Sequence, residues 1–127
     1  MGSGTGLVGQ YLNELGIQGG IDGVDASDGM IAQAQEKNAY RSLTNLFLGS
    51  PETFPDQFRD KYNFITASGI LADNHLDCPV FEEMLLALKK NGVAIFTSRV
   101  EYLEKYGYGP YIEKVEQEGR WKLLKKE

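Results

Sequence analysis

Extended apolar runs alternate with amphipathic helical stretches along this chain, and that alternation restricts it to the α/β layer class. Leu7, Val8, Tyr11, Leu12 and Leu15 recur at helical spacing, and Gly16 stands where a left-handed cap would end the helix. Ile21 to Asp25 reads as a strand leading into a turn. Ser27 can cap a second helix with Asp28 at the positive end of its dipole and Met30, Ile31 and Ala34 as its buried stripe, fading near Asn38. Leu43 to Leu48 reads as a second strand, and Pro51 and Pro55 mark a loop or short helix. Tyr62 to Leu71 holds a third strand, centred on Asn63 to Ala67, whose near-continuous apolar character fits a sheet buried on both faces.

From Pro79, the stripe Phe81, Met84, Leu85 and Leu88 predicts a helix ending at Lys89-Lys90-Asn91-Gly92. Val93 to Ser98 is the clearest strand. After a break at Gly107, Gly109 and Pro110, a looser helix covers about Tyr111 to Gln117, and Trp121 to Leu124 is a last extended piece. Strands separated by crossover helices imply parallel pairing, with ligands bound beyond the carboxyl ends of the strands.

The 127 residues suit one domain, 1–127, around one core. Eighteen acidic against 13 basic residues give a net charge of −5, the wrong sign for a surface that neutralises phosphates, so no nucleic acid is expected as a partner. One cysteine and one histidine cannot form a disulfide or a tetrahedral Cys/His metal set, and a reducing, cytoplasmic compartment is expected. No run approaches the ~18 apolar residues of a membrane span, and the opening residues lack the pattern of a secretion signal.

Gly2-x-Gly4-x-Gly6 opens the first helix, where bare main chain can approach a ligand and point helical N–H groups at it. Asp25, nineteen residues after Gly6, ends the next strand and is placed to accept hydrogen bonds from vicinal ribose hydroxyls. A nucleotide-like ligand suits the pair; a tight turn beside a helix-capping Asp is the plainer reading. Gly4-x-Gly6-x-x-Gly9 also satisfies the dinucleotide fingerprint, so the glycines alone leave two cofactor classes open.

Gly2-Ser3-Gly4-Thr5-Gly6-Leu7-Val8-Gly9 resembles the first motif of class I S-adenosylmethionine-dependent methyltransferases. Val24-Asp25-Ala26-Ser27-x-x-Met30-Ile31-x-x-Ala34 resembles that family's second motif, and Phe81 to Val93 resembles its helix and turn before the fifth strand. Gly4 to Gly9, Ala67-Ser68-Gly69 and Thr97-Ser98-Arg99 look most like the methyltransferase-like proteins of the Williams-Beuren syndrome chromosome region. The resemblance implies a Rossmann-like fold with a mostly parallel sheet flanked by helices. It implies S-adenosylmethionine as donor and S-adenosylhomocysteine as product, held by Gly2, Ser3, Gly4, Thr5, Gly6, Asp25, Ala26, Ser27, Met30, Gly49, Ser50 and Ser68, with Asp25 on the ribose and Met30 beside the adenine. The acceptor is expected to be a small molecule or a protein.

Two departures from the family qualify that expectation. The family's first strand ends just before the glycine motif and its closing hairpin follows the last strand here, so a fold truncated at both ends is expected, first and last strands missing. The exposed sheet edges would then invite a homo-oligomer that completes the sheet. At the end of the third family strand, an Asp that accepts from the adenine amino group is replaced by Gly49-Ser50. A non-catalytic module acting through cofactor or partner binding is the alternative to an enzyme.

The loop Ser68 to Asp77 contains His75, the candidate general base because its pKa lies nearest neutrality; Asp73 and Asp77 are no better candidates. A solvated loop His is the simpler reading. Cys78 precedes a helix and could be activated there, or be an inert thiol. Tyr102, Tyr106, Tyr108 and Tyr111 could cap a substrate pocket or simply cover the sheet; Lys122, Lys125 and Lys126 read as a solvated end.

Overall fold

A computed structural model of the chain describes residues 1–17, 20–71 and 76–127. Helix α1 is Leu7–Glu14, strand β1 Asp22–Asp25, helix α2 Asp28–Glu36 and strand β2 Ser42–Asn45. Two short 3-10 helices, Pro51–Thr53 and Asp56–Phe58, follow. Then come β3 Tyr62–Leu71, α3 Pro79–Ala87, β4 Leu88–Ser98, α4 Val100–Lys105 and α5 Tyr108–Gln117. The α/β class and parallel pairing are as the sequence predicts. Among the described residues the ladders form two two-stranded sheets, β1 with β2 and β3 with β4. No described helix is long and apolar enough to cross a membrane.

Ser27 caps α2 through its hydroxyl, which accepts from the Met30 N–H at 3.2 Å. Several boundaries move. β2 leaves its ladder at Asn45, and Leu46 to Leu48 run on outside it: Leu46 still donates its N–H to the Asp25 carbonyl, and the Leu48 side chain turns toward the core. Helix α3 stops at Ala87, and Lys89 to Gly92 belong to β4, where the register slips from Tyr62↔Leu88 to Phe64↔Val93 around Asn91 at φ 67°. α5 starts at Tyr108 because Gly107 is the left-handed cap, and Gly109 and Pro110 fall in the first turn, where proline has no helical N–H to lose. α4 has no counterpart in the sequence reading. Trp121 to Leu124 forms no strand; Trp121 instead packs on Phe81 and Phe96 and donates its indole N–H to the Ile112 carbonyl at 3.1 Å.

Burial also departs from expectation. In α1 only Gly9 is buried, and Leu15 is 77% exposed. Met30 lies outside the α2 stripe, which is Ile31 and Ala34. Phe64 and Ile95 are about half exposed, so β3 and β4 are covered on one face rather than two. That covered face packs on Phe81, the aromatic hub of the core, which lies 5.4 to 5.9 Å from the ring centroids of Phe96, Tyr108, Tyr111 and Trp121.

Two sets of contacts join the half-sheets. Near the carboxyl ends, the Met1 amino group donates to the Thr66 carbonyl at 2.8 Å and the Ser3 N–H to the Val24 carbonyl at 2.9 Å. At the amino ends, the Asp22 carboxylate, 4% exposed, accepts from Arg41 Nη2 at 2.7 Å, Ser42 Oγ at 2.8 Å and Tyr62 Oη at 2.5 Å, with Lys61 Nζ at 3.6 Å. Between these ties lies a cavity of about 330 Å³ lined by Ile21, Val24, Phe54, Phe58 and Ile65.

The Arg41 guanidinium, with Tyr62 and Ser42, holds the Asp22 carboxyl well below its ordinary range against the opposing effect of burial. A depressed carboxylate pKa contributes stability in full above the unfolded value near ~4, lost as pH falls through the folded value. Asp22→Ala is expected to lower unfolding free energy by roughly 2–4 kcal/mol at neutral pH and to flatten the acid limb of the stability profile. Urea titrations from pH 7 downward check both.

Candidate functional site

The glycine turn and the end of β1 are in direct contact. The Gly4 N–H donates to Asp25 Oδ2 and the Ser27 N–H to Asp25 Oδ1, each at 2.9 Å. A carboxylate has about four acceptor positions, so each oxygen keeps a lone pair free for a further donor. The turn places Gly2, Gly4 and Gly6 all at positive φ. Gly6, the cap of α1, sits at φ 92°, and Gly4 at φ 54° faces open space, with no atom within 4 Å of where a Cβ would stand. Gly9 serves packing: a Cβ there would lie 2.2 Å from Tyr40, whose hydroxyl accepts the Gly9 N–H at 3.1 Å. Leu7 and Val8, the first residues of α1, have N–H groups that no helical carbonyl can take.

Ala26, Ser27 and Met30 are exposed beside Asp25 at the carboxyl end of β1. Ser68 is exposed two residues beyond Thr66, which binds Met1. The glycine turn thus spans the carboxyl ends of β1 and β3, over a small cavity of about 30 Å³ lined by Gly2, Ser3, Tyr40, Thr66 and Ser68. The Ser3 hydroxyl is buried and has no hydrogen-bond partner among the described residues. Gly4, partly buried but open on its Cβ side, and Asp25 thus meet beside the exposed Ala26, Ser27 and Met30, with Gly2, Ser3 and Thr5 half-buried in the turn and Gly6 buried against Ala34. Gly49 and Ser50 follow β2 and are tied to α3, where Glu83 Oε1 accepts the Gly49 N–H at 2.5 Å. Asn45, the last residue of β2, pairs with Asp25 and bonds the Asp28 side chain at 2.7 Å.

The other candidates separate from this contact. His75 and Asp73 lie outside the described residues. Cys78 is not an activated thiol: burial, and then Asp77, push its pKa up, and its Sγ lies 3.6 Å from the Gly107 carbonyl and 3.7 Å from that of Tyr106. Tyr102 and Tyr108 are buried in the core, Tyr108 donating to the Leu76 carbonyl at 2.5 Å, and Tyr111 donates to Glu82. Tyr102 and Tyr108 belong to the core cluster that covers the sheet, and Tyr106 and Tyr111 pack against it. Lys125 pairs with Glu127 at the exposed end.

Glu83, Tyr40 and Asp22 are absent from the sequence reading. Glu83 had a legible signal, because Val80, Met84 and Ala87 define a helical stripe that runs through it. Tyr40 and Asp22 had none, since their partners are distant in sequence.

A methyltransferase domain family model matches residues 1–123. Human methyltransferase-like protein 27 is 30% identical over 124 residues, which cover 95% of this chain and 49% of that protein. The crystal structure of the PH0226 protein from Pyrococcus horikoshii OT3 superposes with a TM-score of 0.57 at 19% identity, over 94% of this chain and 51% of that one. That likeness concerns the fold. The chain spans about half the length of each of these two relatives.

A thiol with a raised pKa is a poor nucleophile near neutrality. Cys78 is expected to react with iodoacetamide at pH 8 at least about tenfold more slowly in the folded chain than in urea, as timed alkylation followed by mass spectrometry would show.

Proposed function

The chain belongs to the methyltransferase domain family, of class I type, and from that premise we propose that its glycine turn binds S-adenosylmethionine for methyl transfer to a small-molecule or protein acceptor. The contact between the Gly4 N–H and the Asp25 carboxylate carries this reading, since it brings bare main chain and a partly unsatisfied acceptor to one open place. The residues present fit such a ligand. Asp25 keeps acceptor positions for two vicinal hydroxyls, Gly4 leaves its approach clear, and Met30 offers 41% of its surface beside the capped start of α2.

S-adenosylmethionine supplies an electrophilic methyl group on a sulfonium, and S-adenosylhomocysteine is the product. The chain's part is to align and to exclude water. Gly2, Ser3, Gly4, Thr5 and Gly6 present main chain, Asp25 orients the ribose, Ala26, Ser27 and Met30 flank the base, and Gly49, Ser50 and Ser68 border the site. His75 remains the proposed general base. We place the protein in the cytoplasm, acting without nucleic acid or membrane. A second reading, a non-catalytic module that works once another chain or a second copy completes the sheet, is favoured by the cavity between β1 and β3.

Titration calorimetry with S-adenosylhomocysteine tests the donor site. Micromolar binding is expected, weakened about 10- to 100-fold by Asp25→Asn, the size of one lost charge-assisted hydrogen bond. A flat trace on folded chain favours the second reading, and binding of NADH instead would restore the dinucleotide class left open by Gly4-x-Gly6-x-x-Gly9.

A further inference from the structure

Helix α3 buries a carboxylic acid where an apolar side chain would pack without cost. Its buried positions are Val80, Phe81, Glu83, Met84 and Ala87, one broad helical face, and Glu83 has no exposed surface. Oε1 of Glu83 accepts the Gly49 N–H at 2.5 Å, while Oε2 is buried without a hydrogen-bond partner among the described residues. Burial pushes the carboxyl pKa up, opposed by the backbone N–H groups of Gly49 and Ser50 and reinforced by the nearby charge of Glu52. Leaving a buried carboxyl oxygen unpartnered is unfavourable.

What that cost secures is the position of one turn. Gly49 is at φ 111°; Thr53 closes the downstream side of the turn through bonds to the Ser50 carbonyl, and the Glu83 carboxylate takes the Gly49 N–H on the other. α3 packs against the 3-10 helix Pro51–Thr53 immediately downstream, so Glu83 reaches the turn from behind and leaves the exposed Ser50 facing outward. The turn follows β2, whose last residue, Asn45, pairs with Asp25.

We propose that Glu83 is a positioning residue of the donor site, holding the Gly49-Ser50 turn so that its outward groups read the amino edge of adenine. This rests on the donor-site reading above. Glu83 itself, being wholly buried, touches no ligand.

The test compares wild type, Glu83→Gln and Glu83→Met. The amide oxygen of the first variant can still accept the Gly49 N–H, and the second fills the stripe with an apolar side chain of similar size, which protects the fold. Calorimetry measures binding of S-adenosylhomocysteine and of its inosine analogue, in which oxygen replaces the adenine amino group. Wild type and Glu83→Gln are expected to prefer the adenine ligand by about tenfold or more, and Glu83→Met by less than about threefold with unchanged affinity for the inosine analogue. The Gly49 amide should be protected from hydrogen exchange in the first two chains and unprotected in Glu83→Met, with or without ligand.

Equal discrimination by Glu83→Met and wild type, no discrimination by wild type, or a protected Gly49 amide in Glu83→Met would each overturn this inference alone. A wild-type chain that binds neither ligand overturns the donor site and this inference with it.

Discussion

The Asp25 carboxylate is the point on which the candidate site turns. One oxygen takes the N–H of Gly4, ahead of α1, and the other takes that of Ser27, the cap of α2. The carboxylate therefore serves a donor at the positive end of α2 and a donor in the turn that leads into α1. An orphan N–H group at a helix start is costly when left unmet, and Asp25 meets that of Ser27 while it also holds the Gly4 turn and still has acceptor capacity. On the proposed reading, structure and ligand recognition use the same group, which ties the shape of the glycine turn to the presence of the acid.

Around that point the sheet is divided. Backbone bonds from Met1 and Ser3 connect β3 and β1 near their carboxyl ends, and the Asp22 cluster connects β1, β2 and the start of β3 at the other. The space between them is lined by apolar side chains such as Val24, Phe58 and Ile65 rather than filled by them. Polar ties at both ends therefore do what a continuous ladder would otherwise do. The exposed surfaces of Leu7, Tyr11, Phe64 and Ile95 belong to the same incomplete packing, because helix and sheet each leave an apolar face uncovered.

Much of this was legible in the residues. The glycine spacing and the Asp at a strand end picked out two elements that the fold brings into contact, because each motif carries its own local geometry. Ser27 was recognisable as a cap for the same reason. What escaped was decided by distant partners. The three hydrogen-bonding side chains and the lysine around Asp22 come from residues 41, 42, 62 and 61. The α3 stripe was read from Phe81, Met84, Leu85 and Leu88, of which Phe81 and Met84 are wholly buried, and the adjoining Val80 and Ala87, buried by tertiary packing, draw Glu83 inside with them. The α1 stripe was periodic without being buried, since periodicity shows which face is apolar and not what lies against it. Trp121 read as strand because it is a strong β-former, and the aromatic hub at Phe81 outweighed that preference.

The central claim is that a nucleoside settles against the Gly4 and Asp25 contact and not in the cavity between the half-sheets. Amide chemical-shift mapping of the labelled chain during titration with S-adenosylhomocysteine tests it most directly. The account predicts saturable shifts at Gly4, Ala26, Ser27, Met30 and Ser50. Shifts centred on Ile21, Phe58 and Ile65, with the glycine turn unmoved, would contradict it.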